Sequence, residues 1–173
     1  MGRVSAMKAP LQWLEAIHQA DQQGVKFEAI WMGDGDLMDE AKVKIAEWNL
    51  QDKVTMAGFV SDHEFVLKTM QSSDIFLFTH VTPESPRCLI ETMVSGTPMV
   101  GYRSDYSANL ITQHAGGVLV DINDVKSLAD RLVELDKDRE QLVRLTQAAA
   151  KNGLRFSDVE AFAERAELIK RFS

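Results

Sequence analysis

Short apolar runs alternate with amphipathic helical patterns through most of the chain, and no other feature of the sequence constrains the fold as strongly. The runs are 27–33, 53–60, 74–80, 98–102 and 117–120. Each is nearly continuous in apolar side chains, which predicts a strand buried on both faces. Such strands separated by helices are typical of a parallel sheet with helices on both sides. We therefore predict a Rossmann-like α/β fold.

Helices are predicted between these strands and after the last one. Pro10 suits the first turn of a helix that ends at Gln22, and a second helix is predicted over 37–48. Ser61 and Glu64 have the spacing of a capping box, which predicts a helix from there to about Met70. Further helices are predicted at 86–95, 107–114, 125–133, 139–151 and 157–171, the last with a capping box at Ser157 and Glu160. Because no repeat or linker interrupts residues 1–173, we predict a single domain with a helical tail.

Composition and charge exclude several classes of protein. The net charge of −7 argues against binding to nucleic acid, which needs a basic surface. No apolar run reaches the ~20 residues that span a bilayer. The single cysteine, Cys88, cannot form an internal disulfide and fits a reducing cytoplasm, which is the location we predict. The histidines are scattered without the spacing of metal ligands, so no metal site is predicted.

Basic side chains are scarce in residues 1–120, so their positions are informative. Ligands of parallel sheets bind beyond the carboxyl ends of the strands. Lys26 and Lys53 come at strand starts and therefore belong to the opposite edge. The residues expected after a strand and before a helix are Arg3, Lys8, Arg87 and Arg103. For Arg3 this holds only if a strand precedes it, so we expect the chain to be part of a longer protein.

The helix predicted at 86–95 begins with a cation that helix stability does not explain. Ser85 is a good N-cap and Pro86 a good first helical residue, while Gly96 ends the helix. Arg87 then lies in the first turn, where the positive end of the helix dipole disfavours a cation. The stability of the helix therefore does not explain an arginine at position 87.

Two explanations for Arg87 remain open at this point. A bound anion would accept hydrogen bonds from the backbone near Cys88 and from the guanidinium group. Alternatively, Arg87 pairs with Glu84 on the surface, an interaction that contributes ~0–1 kcal/mol. Glu91, one to two turns into the helix, either accepts hydrogen bonds from the hydroxyls of a ribose or is an ordinary solvated helix residue.

Several stretches resemble the motifs of one known family. “ESPRCLIETMVSGTPMVG” resembles the signature E-x-F-G-x-x-x-x-E-A-M-A-x-G-x-P-V-V of the retaining group 1 (RfaG-like) glycosyltransferases, which have the GT-B fold. “GRVSAMK”, “IWMGDGDL”, “KVTMAGFVS” and “SSDIFLFTH” resemble further family motifs in the family's order. The resemblance covers nearly the whole chain and corresponds to the C-terminal, donor-binding half of a two-domain enzyme. It implies that the N-terminal acceptor domain lies outside residues 1–173.

The resemblance implies roles for residues at the predicted ligand edge. Arg3 and Lys8 would bind the donor diphosphate and act in catalysis, and Glu84 would lie beside the transferred sugar. Glu91 would bind the nucleotide ribose. The base would contact Gly58, Phe59 and Val60, largely through backbone groups. The donor phosphates would lie against the segment formed by Ser85, Pro86, Arg87, Cys88 and Leu89.

The sequence also departs from the family pattern. Six residues separate Glu84 from Glu91, whereas the family has seven between its two glutamates. A Ser-Pro-Arg run replaces the usual Phe-Gly, and His80 stands where the family usually has a serine. The first departure puts Glu84 one position out of register.

The resemblance implies transfer of a sugar from a UDP-, GDP- or ADP-sugar to an acceptor, with retention of configuration and without a metal or other cofactor. It implies an N-terminal domain as partner, leaves peripheral membrane association of the parent enzyme open, and predicts that the isolated domain is inactive.

Two alternatives are a nucleotide-sugar epimerase-like domain, for which His80 is the only nearby acid–base candidate, and a non-catalytic nucleotide-binding or interaction module. A receiver-like signalling domain, which needs an acidic cluster at the end of its first strand, is the least favoured alternative. The base, sugar, acceptor and oligomeric state stay open.

Overall fold

The computed structural model describes residues 1–83, 86–114 and 116–154, together with Glu167 and Lys170. The strands of this part are β1 (Ala29–Met32), β2 (Val54–Gly58), β3 (Phe76–Phe78), β4 (Met99–Tyr102) and β5 (Gly117–Val120). The helices are α1 (Pro10–Gln22), α2 (Met38–Glu47), α3 (His63–Ser72), α4 (Arg87–Val94), α5 (Asp105–His114), α6 (Val125–Lys137) and α7 (Arg139–Gly153), preceded by a 3-10 turn at Ala6–Lys8. The capping box predicted at Ser157 and Glu160 lies outside the described residues.

The strands are all parallel, which confirms the predicted α/β class. They form two sheets rather than one continuous sheet. β1 pairs with β2, and β3, β4 and β5 pair in that order. Val100 at the centre of β4 is fully buried, because this strand has a partner on each side and helices on both faces.

Helices cover both faces of the sheets, as the apolar runs predict. On one face, Val100 and Tyr102 of β4 pack with α1 and α6. On the other face, Met99 packs in a cluster that contains Leu89 and Met93 of α4. Side chains alternate between the two faces of each strand, and each helix has one apolar stripe. These surfaces pack together to form a close-packed hydrophobic core.

The starts of α3 and α4 differ from their predictions. α3 is capped by Asp62, whose Oδ1 accepts the backbone N–H of Phe65 at 3.0 Å, so the predicted capping box at Ser61 and Glu64 is wrong. Glu64 instead pairs with Lys68 one turn later. In α4 the prediction of Pro86 as the first helical residue is wrong, because Pro86 is the N-cap and the helix begins at Arg87.

The cap of α3 can be tested by a pair of substitutions. Asp62→Ala should lower the free energy of unfolding by about 1 kcal/mol, because the N–H of Phe65 loses its acceptor at the helix start. Ser61→Ala should change it by no more than a few tenths of a kcal/mol. Urea unfolding monitored by circular dichroism measures both values. Equal losses in the two variants would mean that Ser61 shares the cap.

Candidate functional site

The carboxyl ends of β1 and β3 are connected by the N-terminal segment of the chain. The N–H of Gly2 donates to the carbonyl of Met32 at 2.8 Å, and that of Val4 donates to the carbonyl of Asp34 at 3.0 Å. On the other side, the N–H of Val81 donates to the carbonyl of Met7 at 3.1 Å. Residues 2–9 therefore lie between the loops that follow the two strands, at what we call the carboxyl edge.

These hydrogen bonds depend on the absence of a side chain at Gly33. Its φ is +144°, and a Cβ at this position would lie 1.9 Å from the carbonyl oxygen of Gly2. The N–H of Gly33 also donates to the carbonyl of Gly58 at 2.7 Å, which ties the ends of β1 and β2 together. Gly33 thus allows the backbone that carries Arg3 to approach β1 closely.

Arg3 lies on the wall of a pocket of about 620 Å³ at the carboxyl edge. The pocket is lined by Arg3, Ser5, Ala6, Met7, Asp34, Gly35 and Asp36. The side chains of Arg3, Asp34 and Asp36 are exposed, so the pocket presents one cation and two carboxylates to the solvent. Sequence reasoning placed Arg3 at this edge but missed Ser5 and the two aspartates. Their position directly after β1 was the signal that could have found Asp34 and Asp36.

Lys8 lies on the β3 side of the same segment. It is half-buried, and the hydroxyl of Thr79 donates to its carbonyl at 2.7 Å. Lys8 is also close enough to His80 to act on that residue's protonation. The structure therefore places Arg3 and Lys8 at opposite ends of one short segment, both at the carboxyl edge.

His80 is held in its neutral form. Its side chain is 6% exposed, and Nδ1 is buried without a hydrogen-bond partner among the described residues. Burial, together with the positive charges of Lys8 and the Met1 amine, lowers the pKa of His80 from 6.5 to about 3. A histidine with such a pKa is not a general acid at neutral pH.

The pKa of His80 leads to a prediction about stability in acid. Between pH 6.5 and pH 3 the unfolded chain binds a proton at this imidazole that the folded chain does not, so stability falls as the pH falls. The loss is about 1.4 kcal/mol per pH unit, or about 2 kcal/mol between pH 6.5 and pH 5. Urea unfolding at these two values should show a smaller acid loss for His80→Asn than for the wild type. Identical losses would show that the folded protein protonates this imidazole.

The first turn of α4 adds polar backbone groups to the carboxyl edge. Arg87 is exposed, whereas the side chains of Cys88 and Leu89 are buried and face the core. The first N–H groups of a helix have no partner inside it, although the N–H of Leu89 bonds to the carbonyl of Pro86 at 3.1 Å. Arg87 therefore lies in the first turn, as predicted, and Cys88 and Leu89 can meet a ligand only through their backbone.

The remaining predicted residues fall into three groups. Phe59 is 79% exposed beyond β2, next to Gly58, whose φ of +71° turns the chain, while Val60 packs against the core. Glu91 is half-buried on α4. Glu84 and Ser85 lie outside the described residues.

Arg103 follows β4 directly and therefore also lies at the carboxyl edge. Its Nε lies 3.9 Å from a carboxylate oxygen of Asp121, in a surface pair. Such a pair contributes little to stability.

The described part of the chain shows neither a metal-binding cluster nor a membrane-spanning helix. No group of three or more His, Cys, Asp or Glu side chains is placed there to hold a metal ion. None of its helices combines the length and apolar character that crossing a bilayer would require.

Comparison with known proteins identifies the family. Residues 1–152 match the family described as glycosyl transferases group 1. The chain belongs to this family. Among its relatives, the amylovoran biosynthesis glycosyltransferase AmsK of Erwinia amylovora is 30% identical over 167 residues, which are 92% of this chain and 41% of AmsK. The Escherichia coli UDP-Gal:alpha-D-GlcNAc-diphosphoundecaprenol alpha-1,3-galactosyltransferase is 25% identical over 142 residues, 80% of this chain and 36% of that enzyme.

Solved structures of group 1 glycosyltransferases and related enzymes share the fold. Anabaena HepE in complex with UDP-glucose superimposes with a TM-score of 0.82 at 22% identity, over 98% of this chain and 48% of HepE. The structural neighbours are GT-B glycosyltransferases, and the chain corresponds to the C-terminal region of its homologues. The chain therefore spans less than half the length of each of these three relatives.

Proposed function

We propose that this group 1 chain is the donor-binding half of a retaining glycosyltransferase that uses a UDP-sugar. The observation that carries the proposal is the placement of Arg3 and Lys8 on one segment between the ends of β1 and β3, the strand that α4 follows in the chain. This is the edge at which parallel sheets bind ligands. The choice of UDP is supported by the UDP-glucose complex of HepE and by the UDP-Gal donor named for the E. coli relative.

The charge distribution of the site suits a diphosphate leaving group. Arg3 is exposed and offers a fork of N–H donors, and Lys8 adds a point charge at the other end of the segment. The N-terminal end of α4 adds a partial positive charge and N–H groups. Together these groups would stabilise the negative charge that grows on the diphosphate as the sugar departs. We propose that these cations make a metal ion unnecessary for the step.

The carboxylates of Asp34 and Asp36 suit the other part of the donor. They are exposed on the pocket wall that carries Arg3. A carboxylate accepts hydrogen bonds from hydroxyl groups but repels phosphate, so these residues favour a sugar on their side of the pocket. The phosphates would then lie between Arg3, Lys8 and the first turn of α4. Retention of configuration follows the family resemblance and is part of the proposal.

The acceptor belongs to the longer enzyme. AmsK is named for amylovoran biosynthesis, and the E. coli relative for a diphosphoundecaprenol-linked sugar. We propose a growing, lipid-linked saccharide as the acceptor, bound by a domain outside residues 1–173, and a cytoplasmic site of transfer. The isolated chain would then bind donor without transferring the sugar.

Titration calorimetry of the isolated chain with UDP, GDP, ADP and inorganic diphosphate tests donor binding. We expect UDP to bind more tightly than the other three ligands. Equal binding of all four would leave only a general anion site, and no binding at all would favour an interaction module. Incubation of the longer enzyme with a labelled UDP-sugar, followed by NMR of the product, would then report transfer and the configuration of the new bond.

Arg87 and Arg139 form a matched pair for the phosphate contact. Each is the first residue of its helix, but Arg87 lies at the carboxyl edge, whereas Arg139 lies 3.6 Å from Asp74, which precedes β3. Arg87→Ala should weaken UDP binding about tenfold or more, because a charge-assisted hydrogen bond is lost. Arg139→Ala should leave it unchanged. If both variants bind like the wild type, Arg87 does not contact the donor.

The epimerase alternative is disfavoured by the state of His80. An epimerase needs an acid and a base that exchange protons near neutral pH. His80, the only candidate that the sequence offered nearby, has a pKa of about 3 because it is buried beside positive charges. It therefore cannot donate a proton under these conditions.

A further inference from the structure

Two carboxylates of the carboxyl-edge pocket have no cationic partner among the described residues. Asp34 and Asp36 line this pocket of about 620 Å³, and both are exposed. Within the described part of the chain, the carboxylate of Asp34 accepts one hydrogen bond, from the N–H of Gly35 at 2.8 Å, and that of Asp36 accepts none. No ion pair in this part joins either of them to Arg3, which lines the same pocket. The pocket therefore presents two carboxylates whose charge is available to a ligand.

The loop that carries these carboxylates is fixed to the segment that carries Arg3. The N–H of Val4 donates to the carbonyl of Asp34 at 3.0 Å, and the N–H of Leu37 donates to the carbonyl of Val4 at the same distance. Gly35 packs so closely here that a Cβ would lie 2.4 Å from the carbonyl oxygen of Val4. Val4 is fully buried, so the contact is anchored in the core. The backbone positions of the three charged residues are therefore fixed relative to one another, as a preorganised binding site requires.

A third polar group of the pocket also lacks a partner among the described residues. Ser5 lines the pocket and is only 7% exposed, and its Oγ is buried without a hydrogen bond to any of them. A buried hydroxyl in this state costs free energy, which a ligand group can recover. Because a hydroxyl rotates about one bond, it can turn a lone pair toward a donor. The pocket thus offers three acceptors, and an ammonium group has three N–H donors.

The pocket is bipolar because Arg3 lies on the same wall as the carboxylates. The guanidinium group attracts the phosphates of a donor, whereas Asp34 and Asp36 repel them. A neutral sugar beside the diphosphate would match the positive end of the pocket and leave the negative end without a counter-charge. A sugar with a protonated amine would match both ends. Since complementary charges determine which ligand is preferred, the charge pattern favours the second kind of sugar.

We propose that this pocket binds the protonated amine of an amino sugar, with Asp34, Asp36 and Ser5 as the acceptors of its three N–H groups. The inference rests on the proposed function for the class of ligand, which it narrows from sugars in general to sugars with a free amine. Such an amine belongs either to the sugar of the nucleotide donor or to the saccharide acceptor. N-acetylation removes its charge, so an N-acetylated sugar lacks the group that the pocket recognises.

The affinities of three UDP-sugars for the isolated chain test the donor as the source of the amine. UDP-glucosamine carries the charged amine, whereas UDP-glucose and UDP-N-acetylglucosamine are neutral at the same ring position. Titration calorimetry at about pH 6.5 and low salt should give UDP-glucosamine a Kd about fivefold lower than that of either neutral sugar, the size expected of charge pairs at exposed sites. The advantage should shrink in about 0.5 M NaCl, because salt screens exposed charges.

Isosteric substitutions assign the preference to the pocket. Asp34→Asn and Asp36→Asn each remove one charge and keep the size of the side chain, and the amide oxygen at position 34 can still accept the N–H of Gly35. Each should reduce the fivefold preference by about half or more. Asp39→Asn is the matched control, because Asp39 lies in the first turn of α2 and does not line the pocket. It should retain the preference, and an equal reduction in all three variants would overturn the proposal, since only the net charge of the chain would then attract the amine.

A second titration tests the acceptor as the source of the amine. Methyl glucosaminide and methyl glucoside are added to the chain, with and without saturating UDP, and the amide NMR signals of Gly35 and Asp36 are followed. Shifts caused by the glucosaminide and not by the glucoside, and absent in Asp36→Asn, support the amine site. If they occur while the three UDP-sugars bind equally, the amine belongs to the acceptor.

The two titrations also separate this inference from the proposed function. A chain that binds UDP but prefers the amine in neither titration overturns the amine site and leaves donor binding intact. A chain that binds no UDP-sugar contradicts the proposed function, and the shifts caused by the glucosaminide then decide the amine site alone. Absence of those shifts overturns it.

Discussion

Arg3→Ala should reduce the kcat of the longer enzyme by about 10²–10³, because the leaving diphosphate loses a preorganised positive charge. Arg3 is exposed on the wall of the carboxyl-edge pocket, so the substitution should not disturb the core. We expect the substrate KM to change less than kcat, since the charge to be stabilised grows in the transition state. The measurement is the initial rate of sugar transfer at saturating donor.

A second arginine provides the control for Arg3. Arg144 of α7 lies in surface pairs with Asp138 and Glu140, at 3.8 and 3.7 Å. Arg144→Ala removes the same charge without touching the carboxyl edge and should retain wild-type kcat. A wild-type kcat in Arg3→Ala would contradict the proposed role, provided that the variant unfolds at the same urea concentration as the wild type.

Gly33→Ala should destabilise the fold by about 3 kcal/mol or more, because the added Cβ would lie 1.9 Å from the carbonyl oxygen of Gly2. Neither atom is at the end of a flexible side chain, so backbone must move. The hydrogen bond between Gly2 and Met32 is the first that such a movement breaks. Because residues 2–4 carry Arg3, UDP binding should weaken as well.

A substitution at Gly24 is the control that distinguishes the steric clash at Gly33 from the strain of a positive φ alone. Gly24 also has a positive φ, +90°, but a Cβ there would meet nothing within 4 Å. Gly24→Ala should therefore cost only about 1–2 kcal/mol, the ordinary penalty of a side chain in the left-handed region. Urea midpoints of the two variants give the difference. Equal losses of stability in Gly33→Ala and Gly24→Ala would show that the segment around Gly2 moves away from the added Cβ at no energetic cost.

Much of the secondary structure could be predicted because it depends on local pattern. The helix from Pro10 to Gln22 and the strand from Gly117 to Val120 were predicted with their observed ends. The helix has a clear apolar period and a proline at its start, and the strand is a short continuous apolar run. The ends of the other elements were less certain because several polar residues compete for each cap. The N-cap of α3 is Asp62 and not Ser61, because the path of the chain before a helix decides which neighbouring residue caps it.

The candidate site was only partly accessible to sequence reasoning. Basic residues are scarce, and those after strands could be assigned to one edge by the rule that ligands bind there. Asp34 and Asp36 were missed as pocket residues because their meeting with Arg3 depends on the close approach at Gly33. The low pKa of His80 could not be predicted either, since burial and the neighbouring charges of Lys8 and Met1 are properties of the folded chain.

The sequence by itself determined the α/β class, the parallel direction of the strands and membership of a glycosyltransferase family, because periodicity and ordered motifs are local properties of the chain. The tertiary structure alone decided which strands pair and which polar groups share the pocket with Arg3. The physical reason is that these features arise from contacts between distant residues. Their energies depend on distance and burial, and neither quantity is encoded in any short stretch of sequence.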